Sequence, residues 1–358
     1  MKKILITIQR SNGDVFLAGS LVRNLGNFYP KSKIDLLINQ DTLSVAKLIP
    51  GVNSLISFSY DKKKINRWQQ EKEIVKKIFR KYDISINLTA SDRSVLYSIL
   101  AAKKSISAIE KDNSKSWWKK LLLSNFYYFN VNKHIIENNL KPLDFLGIKH
   151  EIKVFSIPVS SRCLNHVSRK LKSLNIKEFL IFHPSAQYDY KIYPLELRNK
   201  LLNLFEKLSI PIIVTGGTSE IDLNIKDSIP KGKNIFNLIG QTSIEEYMAL
   251  SYLSIGYIGM DTLNMHIAAS QNKRVFAIFG PTNLKMWSPW SNISMLGARE
   301  DKYINEYDNI TIFQADLPCV ACGKAGCNNK HDESLCLSHI EPRLVYQKVQ
   351  NYINDQKI

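Results

Sequence analysis

The 358-residue chain carries a net charge of +17, from 49 Lys and Arg against 32 Asp and Glu, and 44% of its residues are hydrophobic. This composition is typical of a globular protein and excludes a disordered or fibrous chain. The length favours two domains over one core, and no stretch approaches the roughly 18 apolar residues of a membrane span. The basic balance fits nucleic acid, an anionic membrane surface, anionic substrates, or lysines that only aid solubility.

The first half of the chain alternates predicted strands and helices. An apolar strand at residues 3–8 leads through a turn at Ser11-Asn12-Gly13-Asp14 into a helix that ends near Pro30. Strands are also predicted at 84–88 and 105–109, with a helix between them. Alternation of this kind predicts a mostly parallel sheet with helices on both faces.

Residues 111–130, KDNSKSWWKKLLLSNFYYFN, interleave aromatic side chains with lysines without a clean period. Two interpretations are open. In the first, the segment is an ordinary helix whose apolar residues face inward, since aromatic clusters usually belong to a core. In the second, it forms a surface that meets an anionic glycan or lipid headgroup, because Trp and Lys both favour membrane interfaces.

The stretch from Ile255 to Trp290 carries the densest set of signals. It predicts a strand, a helix opened by Asp261 and Thr262, and a second strand that ends in Gly280-Pro281-Thr282. Two parallel strands joined by a helix place both turns at one sheet edge, where α/β proteins bind ligands. A helix N-terminus offers unpaired N–H groups, which predicts an anion site that most often holds phosphate. His266 shares a helical face with Thr262.

Asp14 has two interpretations, because it stands between the first predicted strand and the first predicted helix. Its carboxylate caps the helix, or it acts as a general base, since a loop after a strand is well placed to reach a substrate.

Two further turns follow strands in the second half of the chain. The first contains Ser185 and Lys191, and a lysine there either neutralises a diphosphate or is simply solvated. The second contains Gly216-Gly217-Thr218, a permissive backbone that can approach a nucleotide, with Glu220 placed to bind ribose hydroxyls. The sequence has neither a Walker A motif nor GxGxxG, which argues against P-loop hydrolases and nicotinamide dehydrogenases.

Four of the five cysteines lie near the end of the chain with the spacing C-x2-C-x4-C-x8-C, at Cys319, Cys322, Cys327 and Cys336. A small zinc site and a set of reduced, buried thiols both fit this pattern, which is not that of a standard zinc finger. The grouping does not suggest an oxidised secreted framework, and the N-terminus is predicted as a strand rather than a signal peptide. We therefore expect a cytoplasmic protein, with attachment to a membrane surface open.

Four segments together resemble the bacterial lipopolysaccharide heptosyltransferase family, glycosyltransferase family 9. GMDTLNMHIAASQNKRVFAIFGPTNLKMWSPW resembles the family signature, and QRSNGDVFLAGSL resembles its first strand and Gly-Asp turn. HPSAQYDYKIYPLELRNKLLNLF resembles the opening of the second domain. PCVACGKAGCNNKHDESLCLSHI resembles the cysteine tail of heptosyltransferase III-like members. The resemblance spans nearly the whole chain in order, although residues 60–150 carry little of it.

The resemblance implies an α/β GT-B architecture, in which two Rossmann-like domains with parallel sheets face each other across a cleft. It implies an acceptor-binding domain at 1–160, a nucleotide-sugar-binding domain with the cysteine-rich tail at 161–340, and a closing helix at 341–358. It further implies inverting transfer of a heptose from ADP-heptose to a lipopolysaccharide or lipooligosaccharide core, without metal or cofactor. The implied partners are the nucleotide-sugar and a phosphorylated glycolipid at the inner membrane leaflet, and not nucleic acid.

Carried over position by position, the resemblance assigns Asp14 as the proposed base and Lys191 as the phosphate-binding lysine. Acceptor binding is expected at Asn12, Gly13 and Asp14. Donor binding is expected at Ser185, Lys191, Gly216, Gly217, Thr218, Glu220, Met260, Asp261, Thr262, Leu263 and His266. The family commonly has Gly where Leu263 stands, and a side chain at this position predicts a narrower phosphate site or a different donor preference.

Three alternatives remain open at the level of sequence. The same fold can use another nucleotide-sugar to build an O-antigen, a capsule or another surface glycan. A non-catalytic nucleotide- or carbohydrate-binding module is a second alternative, against which the joint presence of Asp14 and Lys191 argues. Nucleic-acid binding rests on charge alone, since no recognition motif accompanies it.

Overall fold

The computed structural model describes residues 1–111, 116–329 and 333–356. The chain divides into two compact units, Met1–Ile157 and Pro158–Ile358, each built around its own sheet. None of the helices within the described ranges combines the length and the apolar character that a bilayer crossing requires.

The first unit has a six-stranded sheet in the order β3-β2-β1-β4-β5-β6, and every neighbouring pair in it is parallel. Its described strands are β1 (Lys3–Ile8), β2 (Lys33–Asn39), β3 (Val52–Phe58), β4 (Ile84–Asn87), β5 (Lys104–Ile109) and β6 (Asn125–Tyr128). Its described helices are α1 (Asn12–Phe28), α2 (Leu43–Ala46), α3 (Tyr60–Ile78), α4 (Asp92–Ala101), α5 (Trp117–Leu122), α6 (Ile135–Leu140) and α7 (Pro142–Phe145).

The order of these strands follows from the sequence of β1, KILITI, in which every residue after Lys3 is buried. A parallel strand covered by helices on both faces needs such a continuous apolar run, and β1 accordingly lies in the middle of the sheet. The chain moves outward from β1 to β3 and then back through β4 to β6. Because crossovers between parallel strands are right-handed, α1 and α2 cover one face, and α3, α4 and α5 cover the other.

The segment 111–130 departs from the prediction of one helix. Within its described part, a single short helix, α5, is followed by β6, which pairs in parallel with β5 at the edge of the sheet. Trp118 packs inward against Val95 and Ile109, whereas Trp117 is exposed. Residues 111–130 lack a clean helical period because they include a short helix followed by a strand. Residues 112–115 lie outside the described residues.

The second unit has a seven-stranded sheet in the order β12-β13-β11-β10-β7-β8-β9, parallel except for the pair β12 and β13. Its described strands are β7 (Leu180–His183), β8 (Ile212–Val214), β9 (Ile235–Asn237), β10 (Gly256–Met260), β11 (Arg274–Ile278), β12 (Ile304–Tyr307) and β13 (Ile310–Phe313). Its described helices are α8 (Ser161–Ser173), α9 (Leu195–Phe205), α10 (Glu220–Asp227), α11 (Ile244–Leu253), α12 (Leu263–Ser270), α13 (Leu284–Trp287), α14 (Leu335–Ser338) and α15 (Pro342–Asp355).

The strand–helix–strand prediction for the stretch from Ile255 to Trp290 is confirmed as β10, α12 and β11. β10 lies between β11 and β7, so its ends are close to those of two other parallel strands. The core of this unit gathers around Phe182, Ile258 and Phe276. The α15 helix begins with Pro342 at its first turn, where a missing N–H costs little, and buries Val349 in the same core.

The cysteine-rich tail packs beside the end of β11. The Gly323 N–H donates a hydrogen bond to the carbonyl of Pro281, and Leu337 lies against Gly280. All four cysteines are free thiols, of which Cys336 alone is buried. Burial and the neighbouring thiols raise the pKa of Cys336 to about 11. Across residues 1–111, 116–329 and 333–356, no three His, Cys, Asp or Glu side chains are grouped so that they could hold a metal ion.

Candidate active site

An ion pair joins two predicted residues at the carboxyl edge of the second sheet. Lys191 lies in the turn that follows β7, and Asp261 follows β10 directly. The Nζ atom of Lys191 is 2.8 Å from Oδ2 of Asp261, and the two side chains are 24% and 9% exposed. Because β7 and β10 are neighbours, residues 70 positions apart meet at one edge. A lysine held in this way stands where an anion at the helix N-terminus would arrive.

The N-terminus of α12 is the second element of this site. Thr262 is the N-cap residue in an extended conformation, and the described structure shows no capping hydrogen bond from its side chain. The first N–H groups of an eight-residue helix are thereby left to a ligand or to water. Leu263 is the first residue of the helix and is partly exposed, whereas His266, one turn later, is buried. A side chain at Leu263 therefore stands beside the expected phosphate position.

Gly259 explains how β10 approaches β7 so closely. A Cβ atom at this position would lie 2.4 Å from the backbone oxygen of His183 and 2.8 Å from the Tyr257 hydroxyl, and its φ of +156° disfavours other residues. The Tyr257 hydroxyl donates to the carbonyl of Met260 at 2.9 Å. The Met260 side chain is 1% exposed and belongs to the core, which limits any donor contact from this residue to its backbone.

His183 is a buried residue of this edge that the motif analysis did not select. Its Nδ1 lies 3.0 Å from Oγ1 of Thr215 and 2.9 Å from Nδ2 of Asn264. Burial lowers the pKa of His183 to about 4, although Asp222 and Thr215 oppose this effect, so the ring is neutral near pH 7. The ring connects the end of β7 and the turn after β8 to α12. Its place at the last residue of an apolar strand was the available signal.

The glycines of the turn after β8 leave space for the carboxylate of Asp222. A Cβ atom on Gly216 or Gly217 would approach the Asp222 carboxylate to 3.0 or 2.9 Å. Asp222 forms a capping box with Ser219 at the start of α10. Burial opposes ionisation of Asp222, but hydrogen bonds from Ser185, Ser219 and backbone N–H groups outweigh it and lower the pKa. The pattern Ser-x-x-Asp was the sequence signal for this cap.

Three residues predicted to contact the donor, Ser185, Gly216 and Gly217, lie against the Asp222 carboxylate in the structure. The Ser185 hydroxyl is buried and donates to Asp222, so Ser185 orders the edge from within. Gly217 and Thr218 are exposed, and Glu220 is exposed as the first residue of α10. The sheet order places the turns after β8, β7 and β10 side by side. The second unit therefore brings together the predicted residues of three separate motifs at one edge.

Asp14 lies within the first helix of the first unit rather than in a turn before it. It is the third residue of α1 and is 5% exposed. Its Oδ2 accepts a hydrogen bond of 2.6 Å from the Ser11 hydroxyl, and its Oδ1 accepts one of 3.3 Å from Arg10. Ser11 is the N-cap residue, so Asp14 is not the cap that one interpretation expected. Asn12 and Gly13 are the first two residues of the same helix.

Comparisons with known proteins agree with this architecture. A family model described as glycosyltransferase family 9 (heptosyltransferase) matches residues 72–315. The lipopolysaccharide heptosyltransferase 3 of Escherichia coli K12 is 29% identical over 293 residues, which cover 79% of this chain and 83% of the relative. The solved E. coli ADP-heptose lipopolysaccharide heptosyltransferase II has a TM-score of 0.71 at 16% identity, with 100% of both chains covered. E. coli heptosyltransferase WaaC with ADP-2-deoxy-2-fluoro heptose has a TM-score of 0.68 at 16% identity, with 98% of this chain and 99% of the other covered.

Two parallel-sheet α/β units of this kind define the GT-B fold class, which confirms the predicted fold. The family match covers more than half of the sequence. The chain belongs to glycosyltransferase family 9, the heptosyltransferases, which confirms the predicted family and enzyme class.

Proposed function

We propose that the protein transfers a heptose from ADP-heptose to the core of a lipopolysaccharide or lipooligosaccharide, with inversion at the anomeric carbon and without a metal ion. The support for the donor is the family membership together with the name of a solved structure of the same fold, which holds a fluorinated ADP-heptose. The support for the acceptor is the name of the relative from E. coli. We place the reaction at the cytoplasmic face of the inner membrane, where such an acceptor is available.

The observation that carries this proposal is the Lys191–Asp261 pair beside the N-terminus of α12. Departure of ADP leaves negative charge on the diphosphate, and the transition state resembles an oxocarbenium ion. Preorganised positive charge stabilises that developing charge, and a lysine and helix N–H groups both supply it without reorganisation. In this mechanism Lys191 and the N–H groups after Thr262 bind the diphosphate.

Asp14 is the proposed base that removes the proton from the acceptor hydroxyl. Direct displacement with inversion needs one base, which acts while the bond to the diphosphate breaks. The hydrogen bonds that Ser11 and Arg10 donate hold the carboxylate in one orientation. In this scheme Asn12 and Gly13 contribute to the acceptor side, and Asp261, partnered by Lys191, faces the donor sugar.

A panel of nucleotide-sugars tests the proposal. The purified protein is incubated with a delipidated core oligosaccharide and with ADP-heptose, UDP-sugars or GDP-sugars, and the released nucleotide is quantified with and without EDTA. We expect acceptor-dependent release of ADP from ADP-heptose, unchanged by EDTA. Release only from a UDP- or GDP-sugar would support the alternative in which the enzyme uses another nucleotide-sugar, a change of donor that Leu263 in place of the family's Gly would accompany. No release from any donor would favour a binding module.

A further inference from the structure

The N-terminal part of α3 forms an exposed basic segment. Residues 61–69 are all exposed, and they carry four cations against the single carboxylate of Asp61. Ile65 is 88% exposed and Trp68 is 79% exposed. Asn66, with φ −146° and ψ 62°, breaks the helix between them, and the part beyond it buries Ile74 and Ile78. The exposed residues therefore lie on both sides of the kink, and α3 first buries a side chain at Gln70.

The α5 helix presents a second exposed apolar surface. Trp117 is 67% exposed and Leu121, one turn later, is 73% exposed, with the exposed Lys120 beside them. The helix is firmly anchored, because the buried Lys119 ammonium lies 2.7 Å from the Asp92 carboxylate and 2.9 Å from the carbonyl of Ala90. The exposure of these residues thus belongs to a fixed surface.

Both segments border the N-terminus of α4. Asp92 holds Lys119 of α5, and the next residue, Arg93, stacks its guanidinium 3.7 Å above the ring of Phe58 and donates to the Tyr60 hydroxyl. The crossovers place α3, α4 and α5 on the same face of the sheet. We call this surface the aromatic-basic face, which comprises Ile65, Trp68, Trp117 and Leu121 together with Lys62, Lys63, Lys64, Arg67 and Lys120.

We propose that the aromatic-basic face docks on the anionic surface of a lipid bilayer. This inference rests on the proposed function, because a glycolipid acceptor is held in a bilayer. Exposed Trp, Ile and Leu side chains enter the headgroup region, where amphipathic rings are favoured, while lysines on long stems remain at the level of the lipid phosphates. Charge complementarity selects this occupant, since the face carries five cations against the nearby carboxylates of Asp61 and Asp92, of which Asp92 is already paired with Lys119.

Vesicle flotation of the full chain tests the proposal. The vesicles are phosphatidylcholine alone or phosphatidylcholine with roughly 30% phosphatidylglycerol, a strongly anionic surface. We expect flotation only with the anionic vesicles, and its loss at high salt because surface charges are then screened. Absence of binding to anionic vesicles, or equal binding to both compositions, would overturn the proposal.

Two sets of substitutions locate the binding surface. Each basic residue near an anionic leaflet changes partitioning by roughly fivefold, so Lys62→Gln/Lys63→Gln/Lys64→Gln should weaken binding by about a hundredfold. Ile65→Ser/Trp68→Ser should weaken it by at least about tenfold, since two exposed apolar side chains are lost. All five positions are exposed, so folding is expected to be retained and is checked by thermal unfolding.

Matched controls come from other exposed positions. Lys172→Gln/Lys177→Gln/Lys200→Gln removes the same charge from the second unit, and Phe28→Ser removes an exposed aromatic ring at the end of α1. These variants should float like the wild type, and equal losses in both sets would overturn the assignment to this face. Turnover on delipidated oligosaccharide should be unchanged in the α3 variants. If the protein floats but shows no turnover with any donor, the proposed function fails while the docking surface stands.

Discussion

The first turn of α1 in the first unit and the turn after β10 in the second each contain an aspartate, but they hold it differently. Asp14 is inside α1, and its partners are the Ser11 hydroxyl and Arg10. Asp261 precedes the N-cap of α12, and its partner is the ammonium of Lys191 from a neighbouring strand. One carboxylate is held by residues of its own turn, and the other by a residue that only the folded sheet brings near.

This difference separates two tasks that a carboxylate can perform. A carboxylate oriented by local hydrogen bonds in a buried position keeps lone pairs for a proton, as a base requires. A carboxylate paired with a lysine at a helix N-terminus organises positive charge, as a site for a leaving diphosphate requires. We therefore propose proton transfer for the first turn and charge stabilisation for the second, and each proposal makes separate predictions.

Asp14→Asn should have the largest effect. The amide keeps the size of the side chain but is a very weak base, so turnover should fall by about 10²–10⁴-fold, the contribution of one well-placed base. Donor affinity should be unchanged, because the second turn is intact. Steady-state kinetics with ADP-heptose and calorimetry with ADP measure the two quantities separately.

The control for this substitution is Ser11→Ala, which removes one orienting hydrogen bond and retains the carboxylate. It should lower turnover by less than Asp14→Asn does. Full turnover in Asp14→Asn would remove Asp14 as the base and with it the division between the two turns.

Gly259→Ala should destabilise the second unit by about 3 kcal/mol, because the new methyl group meets backbone and the positive φ adds strain. Gly26→Ala in α1 is the matched control, since a Cβ atom there meets nothing within 4 Å. In a helix that change should stabilise by roughly 0.5–1 kcal/mol. Denaturant unfolding measures both, and a Gly259→Ala protein as stable as the wild type would refute the close approach of β10 to β7.

The sequence predicted the local parts of this architecture well. The strand–helix–strand unit of β10, α12 and β11 is confirmed, because it depends on residues a few positions apart. The hairpin of β12 and β13 was not predicted, although Asp308 and Asn309 stand at its turn. Short strands that pair beside each other give a weak periodic signal.

Several residues of the site were predicted from the sequence, but the contacts between them were not. Lys191 and Asp261 were selected separately, and their contact depends on the order of β7 and β10 in the sheet, which no local pattern encodes. Glu220 was selected where Asp222 turned out to be the buried partner of Ser185. His183 was missed because its position at the end of an apolar strand does not by itself show that Thr215 and Asn264 lie beside it.

Lys191→Ala tests the role of the second turn. Removing a charged hydrogen-bond donor should weaken ADP binding by roughly 10–100-fold, as losses of about 1.5–3 kcal/mol imply. Lys200→Ala, an exposed lysine in α9, is the matched control and should bind ADP normally. Calorimetry measures both affinities. Equal ADP affinity in the two variants would mean that Lys191 does not bind the diphosphate and that the N-terminus of α12 binds it alone.

The smallest expected effect concerns His183, which ties the turns of the second unit together. Its folded pKa of about 4 lies below the usual 6.5, so as pH falls through 6.5 the unfolded chain gains a proton that the folded protein does not. Stability should therefore be about 1 kcal/mol lower at pH 5.5 than at pH 7 through this residue. Urea unfolding at both values should show this loss in the wild type and in His339→Gln, an exposed control, but less of it in His183→Gln. The same loss in His183→Gln would mean that other groups cause the pH dependence and that His183 does not have the lowered pKa.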